Sequence, residues 1–313
     1  MKRFVLLVFI SLFCLLFNGT VYAKNPSPDA IRLAFLQNDI HHLPLWVALD
    51  KGFFNEQGIN VEIAGIFRAG PEIMSAFSAG SLDMAYVGEA PTVTAAANGT
   101  AKVVILAQVN TEGSAIVVGK NSPIRTISDL KGKHVAIPGY STVQDLLLRK
   151  ALTTSSVDPK QIKITVIKPP EMIGALRTNQ IDAFIAWEPY PAQAISNNVG
   201  KILASSSEIW KDHPCCVLVA AKQFAQANDE KMKRMLKAHR KAVDFIRDNP
   251  DEAVLIAIKH TGLDDRTAKL AIEKVKYVSD LNVEGLKEYV NSLIDLDYIK
   301  LNNVQTFVEN LVY

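Results

Sequence analysis

Polar side chains follow four of the predicted β-strands, at the points where the chain turns toward a helix. In open α/β sheets, ligands bind at the edge where the strands end. We therefore predict that these side chains form one ligand site. They are Gln37, Asn38, His41 and His42 after the first strand, Gly88 and Glu89 after another, Tyr140, Ser141 and Thr142 after a third, and Trp187 and Glu188 after a fourth.

The hydroxyl-rich turn at Gly139 to Thr142 opens a predicted helix over Ser141 to Leu152. Free N–H groups at a helix N-terminus bind anions without any Lys or Arg, because the helix dipole is positive there. The alternative is a plain N-cap, with Ser141 or Thr142 accepting from the helix backbone. Glu89 has the same two interpretations, as a ligand contact or as a cap of its own helix.

Trp187 stands at the end of an apolar strand and is followed by an acid and a proline. This pattern favours a position at the rim of a pocket, where the indole offers an apolar wall and an N–H donor. His41 and His42 are able to hydrogen-bond a ligand or to titrate near neutral pH. The alternative for the histidine pair is a solvated loop.

A second group of His and Cys residues, His213-Pro214-Cys215-Cys216, precedes the last predicted strand. Together with His41 and His42 these side chains are able to form a soft-metal site, because imidazole and thiolate suit zinc, copper or iron. The alternative is two buried cysteines that act as small hydrophobes. A disulfide between adjacent cysteines is strained, because consecutive Cα atoms lie only about 3.8 Å apart.

Motifs of high specificity for enzymes are absent from the sequence, which contains no GxxxxGK[ST], HExxH, GxSxG or GxGxxG pattern. We therefore predict a binding protein that is not an enzyme and that needs no cofactor.

An apolar run from Phe4 to Phe17 follows Lys2 and Arg3 and leads into Val21-Tyr22-Ala23. This is typical of an export signal, and we predict residues 1–23 as a signal peptide that is cleaved after Ala23. The alternative, a membrane anchor, needs about 18 to 20 apolar residues, which exceeds this run. The predicted location is the periplasm.

Without residues 1–23, 34 basic residues become 32, because Lys2 and Arg3 are lost, and they equal the 32 acidic residues. A neutral chain without a basic arm excludes nucleic acid as the expected partner. The composition, with 49% hydrophobic and 21% charged residues, is typical of a soluble globular protein.

Short β-type runs alternate with helical patterns up to about residue 221, which predicts α/β layers with largely parallel sheets. From Lys222 onward the pattern becomes helical without further strands, and this terminal block has no core of its own. The predicted strands are Ile31 to Leu36, Val61 to Ile66, Met84 to Val87, Val103 to Val109, Ala115 to Val118, Val135 to Ile137, Ile162 to Ile167, Ala183 to Trp187 and Val217 to Ala220. The length favours two lobes, joined near Asn110 to Ser114 and near Val217 to Ala221.

Phrases spread in order along nearly all of the chain carry a family resemblance. They are Pro44-Leu45-Trp46-Val47-Ala48 with Lys51-Gly52-Phe53-Phe54, Ala69-Gly70 through Ser81-Leu82-Asp83, Asn121-Ser122-Pro123-Ile124 with Ile127 to Lys133, Pro169-Pro170-Glu171, and Ile181-Asp182-Ala183 through Trp187-Glu188-Pro189. The chain resembles type II periplasmic substrate-binding proteins of ABC importers, in the nitrate, taurine and alkanesulfonate branch that also includes thiamine-pyrimidine binders.

The resemblance implies a two-lobed α/β fold of the type II periplasmic-binding-protein class, with a helical C-terminal block packed on lobe one. It implies lobe one from residues 24–111 and 220–313 and lobe two from residues 112–219. The implied partners are a small ligand, an ABC permease and its ATPase subunit, and the implied state is a monomer. The ligand contacts implied by position are Gln37, Asn38, Gly88, Glu89, Ser141, Thr142, Trp187 and Glu188.

Tyr140, the His41-His42 pair and Cys215 depart from the sulfonate-binding pattern, and we include them among the expected ligand-site residues. The main hypothesis is capture of a small organic anion such as an aliphatic sulfonate, taurine or a nitrate-like solute. The alternatives are a thiamine-pyrimidine or other heteroaromatic ligand, a metal held by the His and Cys residues, and a sensor role. The family also contains a cytoplasmic pyrimidine synthase, but an export signal disfavours enzyme activity of that kind.

Overall fold

The computed structural model describes residues 29–313, so the predicted signal peptide and its cleavage site lie outside the described residues. The strands are β1 (Ile31–Leu36), β2 (Val61–Phe67), β3 (Met84–Gly88), β4 (Val103–Glu112), β5 (Ser114–Gly119), β6 (His134–Ile137), β7 (Lys163–Val166), β8 (Ala183–Trp187), β9 (Gly200–Ser205), β10 (Pro214–Ala221) and β11 (Val275–Tyr277). Each of the predicted strands is present, with bounds that differ by up to three residues at either end.

Helices fill the connections between the strands and form most of the C-terminal part. They are α1 (Leu43–Asp50), α2 (Phe53–Glu56), α3 (Gly70–Ser78), α4 (Glu89–Ala97), α5 (Val143–Thr154), α6 (Pro169–Arg177), α7 (Tyr190–Ser196), α8 (Ser206–Ile209), α9 (Lys222–Ala227), α10 (Asp229–Asp248), α11 (Pro250–Thr261), α12 (Asp265–Ile272), α13 (Val283–Asp295) and α14 (Val304–Leu311). Among residues 29–313, no helix combines the length and the apolar character that crossing a membrane requires.

The strands form two sheets, and each sheet is the centre of one lobe. The first sheet has the order β11-β4-β10-β3-β1-β2, and the second has the order β7-β6-β8-β5-β9. Strand β10 runs antiparallel to both β3 and β4, and β5 runs antiparallel to both β8 and β9. The expectation of largely parallel sheets is therefore wrong, because the strands next to the crossings between the lobes enter their sheets in the reverse direction.

Two strands were missed by the sequence analysis. The edge strand β9 is only partly buried along most of its length, so it lacks the apolar run that marks the other strands. Strand β11 has three residues and pairs with the far end of β4, inside a part of the chain expected to be wholly helical. Both segments become strands because they pair with a strand that is already part of a sheet. The local sequence pattern gives no sign of this pairing.

The chain passes between the lobes twice. The first crossing lies at Gly113, between β4 and β5. The second lies between Ser205 and Pro214, because β10 belongs to the first sheet. The expected crossing near Val217 to Ala221 therefore falls inside β10.

The C-terminal helices pack on the first lobe, as expected. Leu286, Val290 and Leu293 of α13 and Leu311 of α14 are buried in the same apolar cluster as Ile105 of β4. The amide of Tyr313 donates to the carbonyl of Ile105 at 2.9 Å, which ties the chain end to the first sheet. The expected two-lobed α/β fold is confirmed.

Candidate ligand site

A cavity lies between the two lobes, at the strand-end edge of both sheets. Its volume is about 10 Å³, which is room for about one water molecule, so the lobes are closed over it. A solute therefore enters this site only when the lobes open. The residues that line the cavity are Leu36, Asp39, His41, Gly70, Gly88, Pro91, Thr142, Val143, Gln144, Trp187, Cys215 and Cys216.

The expected site residues divide into three groups. Those that line the cavity are His41, Gly88, Thr142, Trp187 and Cys215. Those that are buried without lining it are His42, Glu89 and Glu188. Those that are exposed or partly exposed are Gln37, Asn38, Tyr140 and Ser141. Tyr140 does not narrow the cavity, because its side chain is 51% exposed and lies outside the lining.

Two polar lining residues, Asp39 and Gln144, were not among the expected site residues, and Cys216 was expected only in the alternative of a metal site. Asp39 caps the short 3-10 helix Ile40–His42 through its carboxylate, which accepts from the amide of His41 at 3.0 Å. An Asp directly before a helical turn is an N-cap signal that was available in the sequence. Cys216 lines the cavity beside Cys215, although successive side chains of a regular strand point to opposite faces.

The N-terminus of α5 forms the wall that belongs to the second lobe. Thr142 is the N-cap, and its hydroxyl accepts from the amide of Asp145 at 3.2 Å and donates to the carbonyl of Gly139 at 2.8 Å. Within the described part of the chain, the amides of Thr142, Val143 and Gln144 donate to no protein acceptor. The wall therefore offers backbone N–H groups and a positive helix end, while the hydroxyl is already bonded within the protein.

Trp187 lines the same cavity from the end of β8. Only 3% of the residue is exposed, so the expected rim position is wrong and the indole is enclosed by the two lobes. Its N–H is buried and has no partner within residues 29–313. Buried polar groups are usually hydrogen-bonded, so a buried donor without a partner calls for an explanation. A ligand acceptor bound in the cavity would supply that partner.

Two thiols and an imidazole form the wall that belongs to the first lobe. Sγ of Cys215 lies 3.4 Å from Nδ1 of His41, and Sγ of Cys216 lies 3.6 Å from the same atom. His41 and His42 are both fully buried, so the alternative of a solvated loop is wrong. Nδ1 of His42 accepts from the amide of Leu36 at 3.3 Å, and a ring nitrogen of His42 lies within 4.8 Å of Sγ of Cys216.

The pKa values of His41 and Cys215 depend on the charges of neighbouring groups in this wall. Burial alone lowers the pKa of His41, but the neighbouring Cys215 and Asp39 outweigh burial and raise it to about 9. Burial raises the pKa of Cys215, while the hydrogen bond from Cys216 and the charge of His41 together bring it well below its ordinary value. The pair therefore favours a thiolate beside an imidazolium.

Three buried carboxyl groups surround the same region. Burial raises the pKa of Asp39 to about 7, and it raises the pKa values of Glu89 and Glu188 to about 8. No Lys or Arg is among the residues that line the cavity in residues 29–313. The site thus combines N–H donors on one wall with acidic and soft donor atoms on the other.

Contacts between the lobes hold the cavity closed. The Ser141 hydroxyl donates to Oγ1 of Thr94 in α4 at 2.6 Å, and the Tyr190 hydroxyl donates to the carbonyl of Gln37 at 3.3 Å. Ser141 and Gln37, both expected as ligand contacts, thus contact the opposite lobe.

Comparison with known proteins gives the same fold. A protein of Escherichia coli (strain K12), provisionally named an aliphatic sulfonates-binding protein, is 26% identical over 243 residues, which are 77% of this chain and 74% of that protein. The nitrate/nitrite binding protein NrtA of Synechococcus elongatus is 27% identical over 292 residues, or 83% of this chain and 63% of NrtA. The alkanesulfonate-binding protein SsuA of Xanthomonas axonopodis pv. citri, solved with MOPS bound, superposes with a TM-score of 0.80 at 17% identity, covering 92% of this chain and 99% of SsuA.

The family match extends over most of the chain. Residues 24–258 match the NMT1-like family, and they include both crossings, the first ten strands and every residue that lines the cavity. The chain therefore belongs to the NMT1-like family and has the two-lobed fold of the periplasmic binding proteins.

Proposed function

We propose that this protein is the solute-binding component of an ABC import system and that it captures a small organic anion between its lobes. The observation that carries the proposal is that the cavity between the lobes is lined by Thr142, Val143 and Gln144, whose amides have no acceptor in residues 29–313, and by Trp187, whose N–H has no partner there. The sulfonate- and nitrate-binding names of its relatives support an aliphatic sulfonate, taurine or a nitrate-like solute.

In the proposed mechanism the anionic group docks at the N-terminus of α5 and accepts from the amides of Val143 and Gln144. Gly88 and Pro91 of the first lobe contact the same ligand. A ligand shifts the equilibrium toward the closed form only when it binds that form better, so contact with both lobes is required. The closed form is then recognised by the membrane partner.

The proposal includes a location and partners. The protein is exported by its leader, cleaved after Ala23, and acts in the periplasm as a monomer. It delivers its solute to an ABC permease that is driven by an ATPase subunit, and it performs no chemistry itself. The fold shared with periplasmic binding proteins and the names of the relatives support the location and the role in import.

The experiment replaces Val143 by Pro and compares this variant with Val143→Ala. Val143 is the first residue of α5, where Pro fits the helix and removes one N–H, while Ala keeps the N–H and removes a similar part of the side chain. Calorimetry with ethanesulfonate, taurine and nitrate measures the affinity of each variant. A hydrogen bond to a charged group contributes about 1.5 to 3 kcal/mol, so we expect Val143→Pro to bind about 10- to 100-fold more weakly than Val143→Ala.

Two outcomes contradict the proposal. One is that none of the three anions binds the wild-type protein at millimolar concentration. The other is equal affinity in the Pro and Ala variants, which places the anionic group away from α5. Circular dichroism of both variants confirms that α5 still forms.

A further inference from the structure

The wall of the first lobe contains a group of donor atoms that anion binding does not use. We define the thiol–imidazole cluster as His41, Cys215 and Cys216 with the adjacent Asp39. The two sulfur atoms lie 4.0 Å apart, and Oδ1 of Asp39 lies 3.6 Å from Nδ1 of His41. All four residues line the cavity and are at least 97% buried.

An irregularity in β10 brings the two adjacent thiols to the same side. The pairing of β10 with β4 shifts register between Pro214 and Cys216 and again between Cys216 and Val217. A β-bulge of this kind turns a side chain away from the regular alternation, and bulges are frequent next to functional sites. Both cysteines are free thiols.

The orientation of His41 suits metal binding. Nε2 lies 2.8 Å from the carbonyl of Gly113 and donates to it, because a carbonyl oxygen only accepts. Nδ1 therefore faces the two sulfur atoms, and its lone pair is available to an ion once the Nδ1 proton has left. Metal-binding histidines commonly donate their second N–H to a backbone carbonyl or a carboxylate, which fixes the tautomer and the ring orientation.

The ligand atoms of the cluster determine which metal ions it is able to bind. Two sulfur atoms and an imidazole nitrogen suit soft or borderline ions such as Zn²⁺ and Cu⁺, whereas Mg²⁺ and Ca²⁺ require oxygen ligands. No Lys or Arg lines the cavity in residues 29–313, so no fixed positive side chain opposes a cation at this wall.

We propose that the thiol–imidazole cluster binds one thiophilic metal ion, Zn²⁺ or Cu⁺, through Nδ1 of His41 and the sulfur atoms of Cys215 and Cys216. The Asp39 carboxylate supplies an oxygen donor beside them. When the ion binds, the proton of the Cys216 thiol and the proton on Nδ1 of His41 pass to solvent, so the ion enters as the lobes open. The ion then faces the α5 amides across the cavity, and metal binding does not depend on the proposed transport of an anion.

The experiment uses the protein exported with its own leader, stripped of metal and kept reduced and anaerobic. Zn²⁺ and Cu⁺ are added separately, the bound metal is counted by mass spectrometry after desalting, and affinities are measured by competition with chromophoric chelators. We expect one ion per chain for at least one of the two metals. Substitution with Co²⁺ is expected to produce a near-ultraviolet thiolate charge-transfer band.

Variants test the ligands. We expect Cys215→Ser, Cys216→Ser and His41→Gln each to weaken binding by on the order of 100-fold or more, because each removes a direct ligand. His260→Gln is the matched control, since His260 is bonded to Asp50 at 3.1 Å outside the cavity lining and its loss should leave the affinity unchanged. Thermal unfolding of the metal-free variants shows whether each remains folded.

The outcomes separate this proposal from the proposed function. Less than about half an ion per chain for both metals, or wild-type affinity in the folded Cys215→Ser/Cys216→Ser double variant, overturns the metal site. Binding of ethanesulfonate and taurine is measured on the same metal-free protein. Sulfonate binding without metal binding overturns only the metal site, whereas metal binding without any anion binding supports the cluster and overturns the proposed solute.

Discussion

Sγ of Cys215 lies 3.4 Å from Nδ1 of His41, a residue 174 positions earlier in the chain. His41 follows the first strand and Cys215 lies in the bulged strand β10, so two distant segments of the first lobe build one wall. The other side of the imidazole is held by the carbonyl of Gly113, at the first crossing between the lobes. The ligand wall and the hinge region are therefore in direct contact.

Gly113→Ala tests this contact. Gly113 has a φ of +84°, and an added Cβ would lie 2.3 Å from Nε2 of His41 and 2.8 Å from Cγ2 of Val275. Overpacking and the positive φ together should lower the free energy of unfolding by about 3 kcal/mol. Urea unfolding measures this loss.

Gly262→Ala is the control for Gly113→Ala. Gly262 has a φ of +70°, but no atom lies within 4 Å of an added Cβ. Only the backbone strain remains there, so we expect a loss of about 1 kcal/mol. Equal losses in the two variants would mean that the Gly113 contact with His41 has no energetic importance.

Gly88→Ala should act as a wedge between the lobes. Gly88 has a φ of −61°, which Ala adopts without strain, but its Cβ would lie 3.2 Å from Cγ2 of Val143 in the opposite lobe. We expect the fold to persist and the affinity for the solute to fall by about 10-fold, because closure is hindered. Small-angle scattering should show a larger radius of gyration with ligand bound.

Val143→Ala provides the rescue for Gly88→Ala. Removing the Val143 methyl groups restores room for the new Cβ, so the double variant should bind more tightly than Gly88→Ala alone. Failure of this rescue would show that Gly88→Ala acts within the first lobe, for example through Pro91, which lies 3.4 Å from the same Cβ.

The hydrogen bond from Ser141 to Thr94 should stabilise the closed form. It joins α4 of the first lobe to the turn before α5 of the second lobe. Its loss in Ser141→Ala or Thr94→Val should weaken solute binding by about 5-fold, equivalent to about 1 kcal/mol. Calorimetry on both single variants and the double variant gives their coupling energy.

Thr100→Val is the control for the lobe contact, because the Thr100 hydroxyl bonds to Ala95 within the same lobe. It should leave the solute affinity unchanged. Additive effects of Ser141→Ala and Thr94→Val would argue against a shared contribution to closure.

His239 should make the stability of the protein depend on pH. The ring is fully buried, with Nε2 donating to the carbonyl of Gln108 at 2.9 Å and Nδ1 accepting from the Tyr86 hydroxyl at 3.1 Å. Burial lowers the pKa of His239 from 6.5 to about 4. Because the unfolded chain binds the proton more tightly, the stabilisation is complete above pH 6.5 and is lost as the pH falls toward 4.

The comparison of wild type with His239→Gln isolates this effect. Relative to the variant, the wild type should lose about 2 kcal/mol of unfolding free energy between pH 8 and pH 5 in urea titrations. The raised pKa values of Asp39, Glu89 and Glu188 act in the opposite direction, but they are common to both proteins. Parallel pH profiles for the two proteins would contradict the prediction.

The sequence by itself determined the elements and the class of fold. Strand β8 and helix α5 were predictable because apolar spacing and the Thr142 cap act within a few residues. The same local patterns placed Thr142 and Trp187 where strands end, and both line the cavity. The order of family phrases also indicated two lobes and a C-terminal block that packs on the first lobe.

Only the tertiary structure decided which polar side chains share the cavity. Cys216 joins Cys215 because a bulge overrides strand alternation, and Asp39 enters the site because a 3-10 turn follows β1. His41 is buried because the lobe crossing at Gly113 covers it. These outcomes depend on contacts between residues far apart in the chain, and such contacts have no periodic signal in the sequence.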